Sequence, residues 1–405
     1  MSFRCFRWMW DVLYVLVPAV KLLHPHNRSV YLPDDVMIEI LSRLPVESLQ
    51  SCQKLCKQWR SLTTSPFFIR LHIERASPVI LMRVESYGSF KQQDPVYYLY
   101  ECTKIGTLKI SKLRFRESIL FHERTQLMSS CGGFLIFGSE RRCYFLNPVT
   151  QEHFAVDCPS SGLYCIFCGF FYHSSRNEFK VLYATGVPGN SFCYYIYTLG
   201  TNNWRMINPP PFPYAPVIVA PWDPAVCNGF LHWMAGWLFA DFSPDPPHAC
   251  GILVFEMNSE EFSVRPHPGH KECSDKVNHW TMSLLVNDEQ HLVFCNLEGQ
   301  MGLIDIWMLE DHASWFWVRK WKLNLCTFDL PVRPLVVYIK PLLIHNGVLW
   351  LDCWERGLLL HNLERNNVRR VRGPPWSPFV ALGLRSVSHS CIAYARSHLL
   401  LPKSM

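Results

Sequence analysis

Three clusters of side chains have types and spacings that would suit chemistry. Cys165 and Cys168 form a C-x-x-C pair, half of a zinc knuckle or a redox dithiol. His267, His270 and Cys273 follow one another at ligand-like intervals. Glu260 and Glu261 are adjacent carboxylates, the residue type of general acid–base work. Each falls short on its own terms. Tetrahedral zinc takes four ligands, and no second pair stands at zinc spacing from Cys165 and Cys168, whose filling, Ile166 and Phe167, is strand-like. The His267 set lacks an obvious fourth ligand nearby. Glu260-Glu261 lies in a hairpin turn that recurs along the chain with Thr, Asn or His in its place, which reads as a solvated turn. The phosphate-binding pattern G-x-x-x-x-G-K-S/T, the dinucleotide pattern G-x-G-x-x-G, the nucleophile elbow G-x-S-x-G and the zinc pattern H-E-x-x-H are all missing. The expectation is therefore no catalytic residue, no metal and no cofactor.

Composition bounds the elements that hold these residues. Of 405 residues, 49% are hydrophobic and 18% charged, too apolar for wholesale disorder. Lys plus Arg number 39 against 33 Asp plus Glu, a net of +6 that is too mild for a dedicated nucleic-acid binder. The one basic cluster, Arg365, Arg369, Arg370 and Arg372, is interrupted by Glu364, Asn366, Asn367 and Val368. It reads as a solvated turn and strand face, or as a patch for an anion or acidic partner. The 17 Cys are scattered and odd in number, which fits free thiols in a reducing compartment better than a disulfide framework.

The first 30 residues stand apart as an extension of unknown role. Residues 8–23 are mostly apolar and follow Arg4 and Arg7, as a signal peptide does. Asp11 and Lys21 interrupt the run, which is shorter than the roughly 20 residues a spanning helix needs. Membrane association through 8–23 and secretion are the alternatives to a simple extension.

The texture changes near residue 75. Residues 31–72 read as helix. Pro33-Asp34-Asp35 is an entry, with Asp available to cap free N–H groups. Val36, Ile40 and Leu44 step by four, with Met37 and Leu41 beside them. A second helical stretch, from about Glu47 to Thr63, steps through Leu49, Cys52, Cys56 and Trp59. So few residues cannot bury both stripes, so a partner is expected. From there on, short apolar runs alternate with turn residues. One hairpin recurs at 144–154, 195–207, 254–264, 305–318 and 359–371, with a weaker copy at 98–110. A second unit, C-G-G-F, C-N-G-F or H-N-G-V, interleaves at the same period. Four strands per 50-odd residues are a propeller blade. Trp204, Phe262, Trp315 and Trp350 are expected to pack between blades, and the Pro-rich stretches 208–224 and 243–248 to project as loops. Closure requires the last strands to complete a blade begun by the first ones.

Residues 32–73 resemble an F-box. The resemblance runs through Leu32-Pro33, E-I-L-x-R-L-P at 39–45, Ser48-Leu49, L-C-K-x-W-R at 55–60 and Ser65-Pro66-x-Phe68-Ile69. The remainder is similar to the kelch-like propeller region of plant F-box proteins, through its C-N-G and C-G-G strands, L-N-P-V-T at 146–150 and G-F-x-x-x-S-x-x-x-x-F-K-V at 169–181. The expected architecture is an α+β multidomain chain: an N-terminal extension (1–30), a small helical F-box (31–75) and an all-β propeller (78–395). The resemblance implies a non-catalytic substrate-receptor subunit of an SCF-type cullin–RING ubiquitin ligase. A Skp-family linker, and through it cullin and RING subunits, would bind Leu32, Pro33, Leu41, Leu44, Pro45, Leu49, Leu55, Cys56 and Trp59. Some of these must instead pack the helices together. A target protein would bind propeller loops, with Tyr214, Trp222 and Trp237 as candidate anchors. Such a receptor works in the cytoplasm or nucleus. The alternatives are a membrane-tethered or ligase-independent scaffold and a propeller enzyme.

Overall fold

Proline and capping residues cut the helical segment into short pieces. The computed structural model describes residues 33–87, 96–102, 108–115, 125–139, 142–159, 165–173, 175–176, 178–187, 191–201, 203–210, 215–216, 224–236, 251–268, 281–298, 302–325, 339–353, 357–371 and 386–394. Two compact units divide between Ala76 and Ser77. The extension 1–30, with its apolar run, lies outside the described residues. Among those described, no helix is long and apolar enough to cross a membrane.

Among the described residues the first unit has four helices: α1 (Asp34–Leu41), α2 (Val46–Cys52), α3 (Lys57–Thr63) and α4 (Pro66–Arg75). Pro33 and Pro45 are the N-caps of α1 and α2, and neither helix has a side-chain cap. Asp34 and Asp35 fall one step too late to cap, in the first turn, where their charge still suits the helix dipole. The helical stretch expected over 47–63 breaks after Cys52. Cys56 is extended at φ −153° and its sulfur accepts the Trp59 N–H at 3.4 Å, capping α3. Ser65 caps α4, accepting from Phe68 N–H at 3.2 Å, with Pro66 behind it in the first turn.

The second unit is a six-bladed, mostly-β propeller. The second blade runs β4 (Gln126–Cys131), β5 (Phe134–Gly138), β6 (Arg142–Leu146) and β7 (His153–Asp157). The third has β8 (Cys165–His173), β9 (Glu178–Val187), β10 (Ser191–Thr198) and β11 (Trp204–Ile207). The fourth holds β12 (Ala215–Pro216), β13 (Ala225–Cys227), β14 (Phe230–Gly236), β15 (Gly251–Glu256) and β16 (Glu261–Pro266). The fifth holds β17 (Met282–Val286), β18 (Leu292–Glu298), β19 (Leu303–Asp311) and β20 (Phe316–Asn324). The sixth holds β21 (Ile339–His345), β22 (Val348–Cys353), β23 (Gly357–Asn362) and β24 (Asn367–Arg370). The first blade joins β1 (Val79–Tyr87), β2 (Val96–Cys102) and β3 (Leu108–Leu113) to the last strand, β25 (Ser386–Tyr394). β25 pairs antiparallel with all of β1, from Val79 opposite Tyr394 to Tyr87 opposite Ser386, and so closes the ring.

Both repeated sequence units are hairpins. Gly132-Gly133, Asn228-Gly229 and Asn346-Gly347 all have positive φ at both residues, the two-residue turn whose twist matches a β-ribbon. The outer hairpins of blades four, five and six end on Glu260, Trp315 and Asn366, each left-handed at φ 60°, 56° and 48°. One expectation needs correcting. The stretch 208–224 is not loop throughout, because Ala215 and Pro216 pair with Gly236 and Ala235 at the end of β14. The stretch 243–248 lies outside the described residues.

Apolar side chains fill every seam between blades. Val79, Leu81 and Tyr97 meet Leu127, Leu135 and Phe137 between blades one and two. Phe145 of blade two lies 4.9 Å, ring to ring, from Phe170 of blade three. Leu182 and Tyr194 meet Leu231 and Phe255 in the next seam. Phe294 packs on Ile252 and Val254, and Ile304 and Ile306 on Leu349 and Leu351. Ile80 and Met82 meet Leu342 and Trp350 where the ring closes. The four aromatics expected between blades lie there. Trp204 Nε1 donates to Asp157 O at 3.1 Å, Phe262 sits edge-on to Tyr194 at 4.9 Å, and Trp315 Nε1 donates to Pro266 O at 2.7 Å. Trp350 is buried in the closing seam.

Candidate functional site

The helical unit buries one stripe and leaves another uncovered. Met37, Leu41, Leu44, Leu49, Cys52 and Phe68 form its core, with Ile38, Trp59 and Leu62 packed against them. His72, almost fully buried, lies 2.9 Å through Nε2 from the Leu44 carbonyl, so that nitrogen carries the proton and donates. Burial lowers the His72 pKa, against the opposing pull of that hydrogen bond. Glu39 ties α1 to the last turn of α4 by pairing with Arg75 at 2.8 Å, and it also pairs with Arg43. Hydrogen bonds from Arg75 and Arg43 hold the Glu39 carboxyl below its usual range.

The residues expected to bind a linker therefore divide. Leu41, Leu44 and Leu49 are 2%, 5% and 0% exposed and hold the helices together. Pro33 and Pro45 are exposed, and Leu55, Cys56 and Trp59 are half-buried. Leu32 lies outside the described residues. Val36 at 39% and Phe67 at 56% are exposed apolar side chains that sequence reasoning did not single out as contacts. The signal was present in α1, whose apolar arc of Val36, Met37, Ile40 and Leu41 is wider than one small core can use.

On the propeller, Tyr214, Trp222 and Trp237 lie outside the described residues. So do His270 and Cys273. His267 stacks on Phe294 with ring centroids 5.4 Å apart. Cys165 and Cys168 take separate roles. Cys168 is buried, whereas Cys165 sits at the start of β8, its thiol 3.6 Å from the Pro159 carbonyl and beside Cys158. Tyr183 Oη lies 2.5 Å from Cys143 Sγ and 3.5 Å from Cys158 Sγ. The hydrogen bond from Cys158 brings the Cys165 thiol down to about 7, outweighing burial, while burial pushes Cys143 up to about 12. Thiolates are the reactive form. At pH 7.5 iodoacetamide is expected to label Cys165 well ahead of Cys158, Cys143 and Cys168, with a rate rising through pH 7. Peptide mapping that finds Cys158 labelled first would reverse the assigned hydrogen bond.

Glu260 is not the solvated turn residue its sequence context suggests. Its side chain is 9% exposed and accepts from Lys180 Nζ at 2.6 Å across the seam, with Arg205 as second partner. Burial would raise this carboxyl, but the two cations together hold it below its usual value. A second inter-blade latch joins His232 to His312, Nε2 to Nε2 at 3.3 Å, with His232 Nδ1 donating to Ala225 O at 3.0 Å. Burial drives His232 down to about 4, so both rings are neutral near pH 7. Among the described residues no three His, Cys, Asp or Glu side chains are grouped to hold a metal. These groups act as seam latches.

Residues 89–373 match the F-box associated beta propeller domain, and residues 31–71 match the F-box domain. An F-box/kelch-repeat protein of Arabidopsis thaliana is 25% identical over 360 residues, covering 84% of this chain and 89% of the relative. An F-box protein of the same plant is 25% identical over 323 residues, covering 70% and 71%. Among solved structures, TolB from Acinetobacter baumannii aligns over 77% of this chain and 69% of its own, at 8% identity and a TM-score of 0.39.

Proposed function

This chain belongs to the F-box-associated β-propeller family, and from that premise we propose that it is the substrate-receptor subunit of an SCF-type cullin–RING ubiquitin ligase. In this role the helical unit holds a Skp-family linker, which brings the cullin and RING subunits, and the propeller holds a target protein. The receptor makes and breaks no bonds. It raises the concentration of its target beside a ubiquitin-charged enzyme, in the cytoplasm or nucleus. F-box plus propeller is an architecture of SCF substrate receptors in general. The observation that carries the reading for this chain is the uncovered stripe. Pro33, Val36 and Pro45 stay exposed on a unit whose few core residues leave apolar surface over.

The same geometry selects the test. Leu44 is a core residue, so shortening it would unfold the unit and blur any effect on binding. Pro33 and Pro45 are exposed N-caps, and Asp is among the best N-cap residues. The double variant Pro33→Asp/Pro45→Asp therefore keeps the helices and places two charges on the apolar face. It is expected to cut capture of a Skp-family protein by tenfold or more, about 1.4 kcal/mol. Undiminished capture by a variant with unchanged helical circular dichroism would defeat the assignment of this face.

A further inference from the structure

We propose that Cys158 and Cys165 are a modification site for hydrogen peroxide, which converts them to a reversible disulfide tying the end of blade two to the start of blade three. The site goes beyond the receptor role and stands independently of it. Strand pairing sets both positions. Cys158 directly follows β7, whose last residue, Asp157, pairs with Arg142, and Cys165 opens β8 opposite Thr185 of β9. Trp204 Nε1 donates to the Asp157 carbonyl, so a side chain of blade three holds the backbone just before Cys158. The Cys158 thiol hydrogen-bonds the Cys165 sulfur and lies 3.5 Å from the Oη of Tyr183, which reaches across the same seam. A disulfide here shortens an existing contact between two sulfurs to a bond of about 2 Å.

The pair differs from the thiols buried near it. Cys143 and Cys168 are 0% and 1% exposed. Burial pushes Cys143 up to about 12, and Cys168 packs with Leu231 and Trp233 of blade four. Both act as small apolar side chains. Cys158 and Cys165 are only half-buried, so a small oxidant reaches them. Their roles are unequal. The hydrogen bond from Cys158 brings the Cys165 thiol down to about 7, and the same bond raises Cys158. Cys165 is therefore the attacking thiolate and Cys158 the resolving thiol, the arrangement of a redox-sensing pair. The C-x-x-C spacing named Cys168 as the partner of Cys165, whereas the fold supplies Cys158.

The Cys165 thiolate attacks one peroxide oxygen, the O–O bond breaks, and the departing hydroxide takes up the proton that the thiol had released. Cys165 is now a sulfenic acid, oxidised by two electrons. The Cys158 sulfur attacks it, the S–S bond forms as the S–O bond breaks, and the hydroxyl leaves with the Cys158 proton. Two thiols and one peroxide thus become one disulfide and two waters. In a reducing compartment such a bond is transient, because a dithiol reductant restores both thiols by exchange.

Chymotryptic mapping of the full chain tests this, because cleavage after Tyr164 and Phe167 puts Cys158, Cys165 and Cys168 on separate peptides. The reduced, folded chain is treated with hydrogen peroxide at pH 7.5 and its remaining thiols are blocked with N-ethylmaleimide. The Cys158 and Cys165 peptides are expected to be joined, in a chain that stays monomeric on a non-reducing gel, and dithiothreitol should separate them. The link should form at least tenfold faster than Cys143 or Cys168 is oxidised. Cys158→Ser should prevent the link and leave Cys165 as a sulfenic acid that dimedone captures. In Cys165→Ser, capture at Cys158 should be at least tenfold slower. The variants are compared at an unchanged melting temperature, and mapping of the parent chain decides by itself if either fails to fold. Absence of the Cys158–Cys165 peptide from the oxidised parent, a link through Cys143 or Cys168, a link between chains, or equal dimedone capture in the two folded variants would overturn the proposal.

Discussion

Deleting residues 386–405 is expected to unfold the whole propeller, where a modular array would lose only one strand. β25 forms nine residue pairs with β1. At roughly 0.5–1.5 kcal/mol net per ladder hydrogen bond, their loss is on the order of 5 kcal/mol or more, against a total stability of about 5–15 kcal/mol for a typical domain. The loss spreads further, because β1 serves two seams. Val79 and Leu81 pack toward blade two, and Ile80 and Met82 toward blade six. A loosened β1 opens both. Thermal unfolding followed by circular dichroism should show a cooperative transition for the full chain and none for the deletion. A soluble deletion that melts cooperatively within a few degrees of the parent would show that the ring does not depend on this strand.

Glu260→Gln is expected to destabilise the propeller by about 3 kcal/mol, the cost of leaving a buried charge without its partner. Lys180 is 1% exposed, and after the change the remaining carboxylate beside it among the described residues would be Glu178, 3.4 Å away and 39% exposed. The opposite single change should be milder. Lys180→Met removes the buried charge itself, and Glu260 keeps Arg205, which is 55% exposed. The double variant should therefore recover most of what Glu260→Gln loses. A fall in melting temperature of roughly 5–10 °C for Glu260→Gln, with a smaller one for the pair, is the expected pattern. A loss for the double variant equal to the sum of the two single losses would mean that the two side chains are not coupled.

How much of this was legible beforehand depended on sequence distance. Leu146, Leu199, Met257, Leu309 and Leu363 each mark an outer hairpin, because turn chemistry and strand pattern are local and repeat in every blade. The Asn-Gly and Gly-Gly turns announced the inner hairpins for the same reason. The number of blades is not legible in the repeats, because one blade is split between the two ends of the propeller and shows no complete repeat of its own. Glu260 was misread because its partner Lys180 lies 80 residues away, and a turn in one blade says nothing about the wall of the next. In the helical unit, the steps through Leu49, Cys52, Cys56 and Trp59 continue across the break at 53–56. Periodicity alone therefore joined two helices, and a cysteine cap is too unusual to signal the stop. The division of the linker-facing set was equally hidden, since a stripe shows which residues are apolar and not which helix covers them.

The closing blade has a further consequence. Blades two to six are each made from one continuous stretch of chain, so each can assemble from neighbours. The first blade alone must bring together strands some 300 residues apart. Its assembly carries the longest loop-closure cost in the molecule and belongs to the slow end of folding. Until β25 arrives, β1 offers a nine-residue edge that any matching strand can occupy. The best match at high protein concentration is the β25 of another copy. The ring is thus a clasp with a single fastening, and two chains refolding together can each fasten the other, exchanging that strand between otherwise intact propellers.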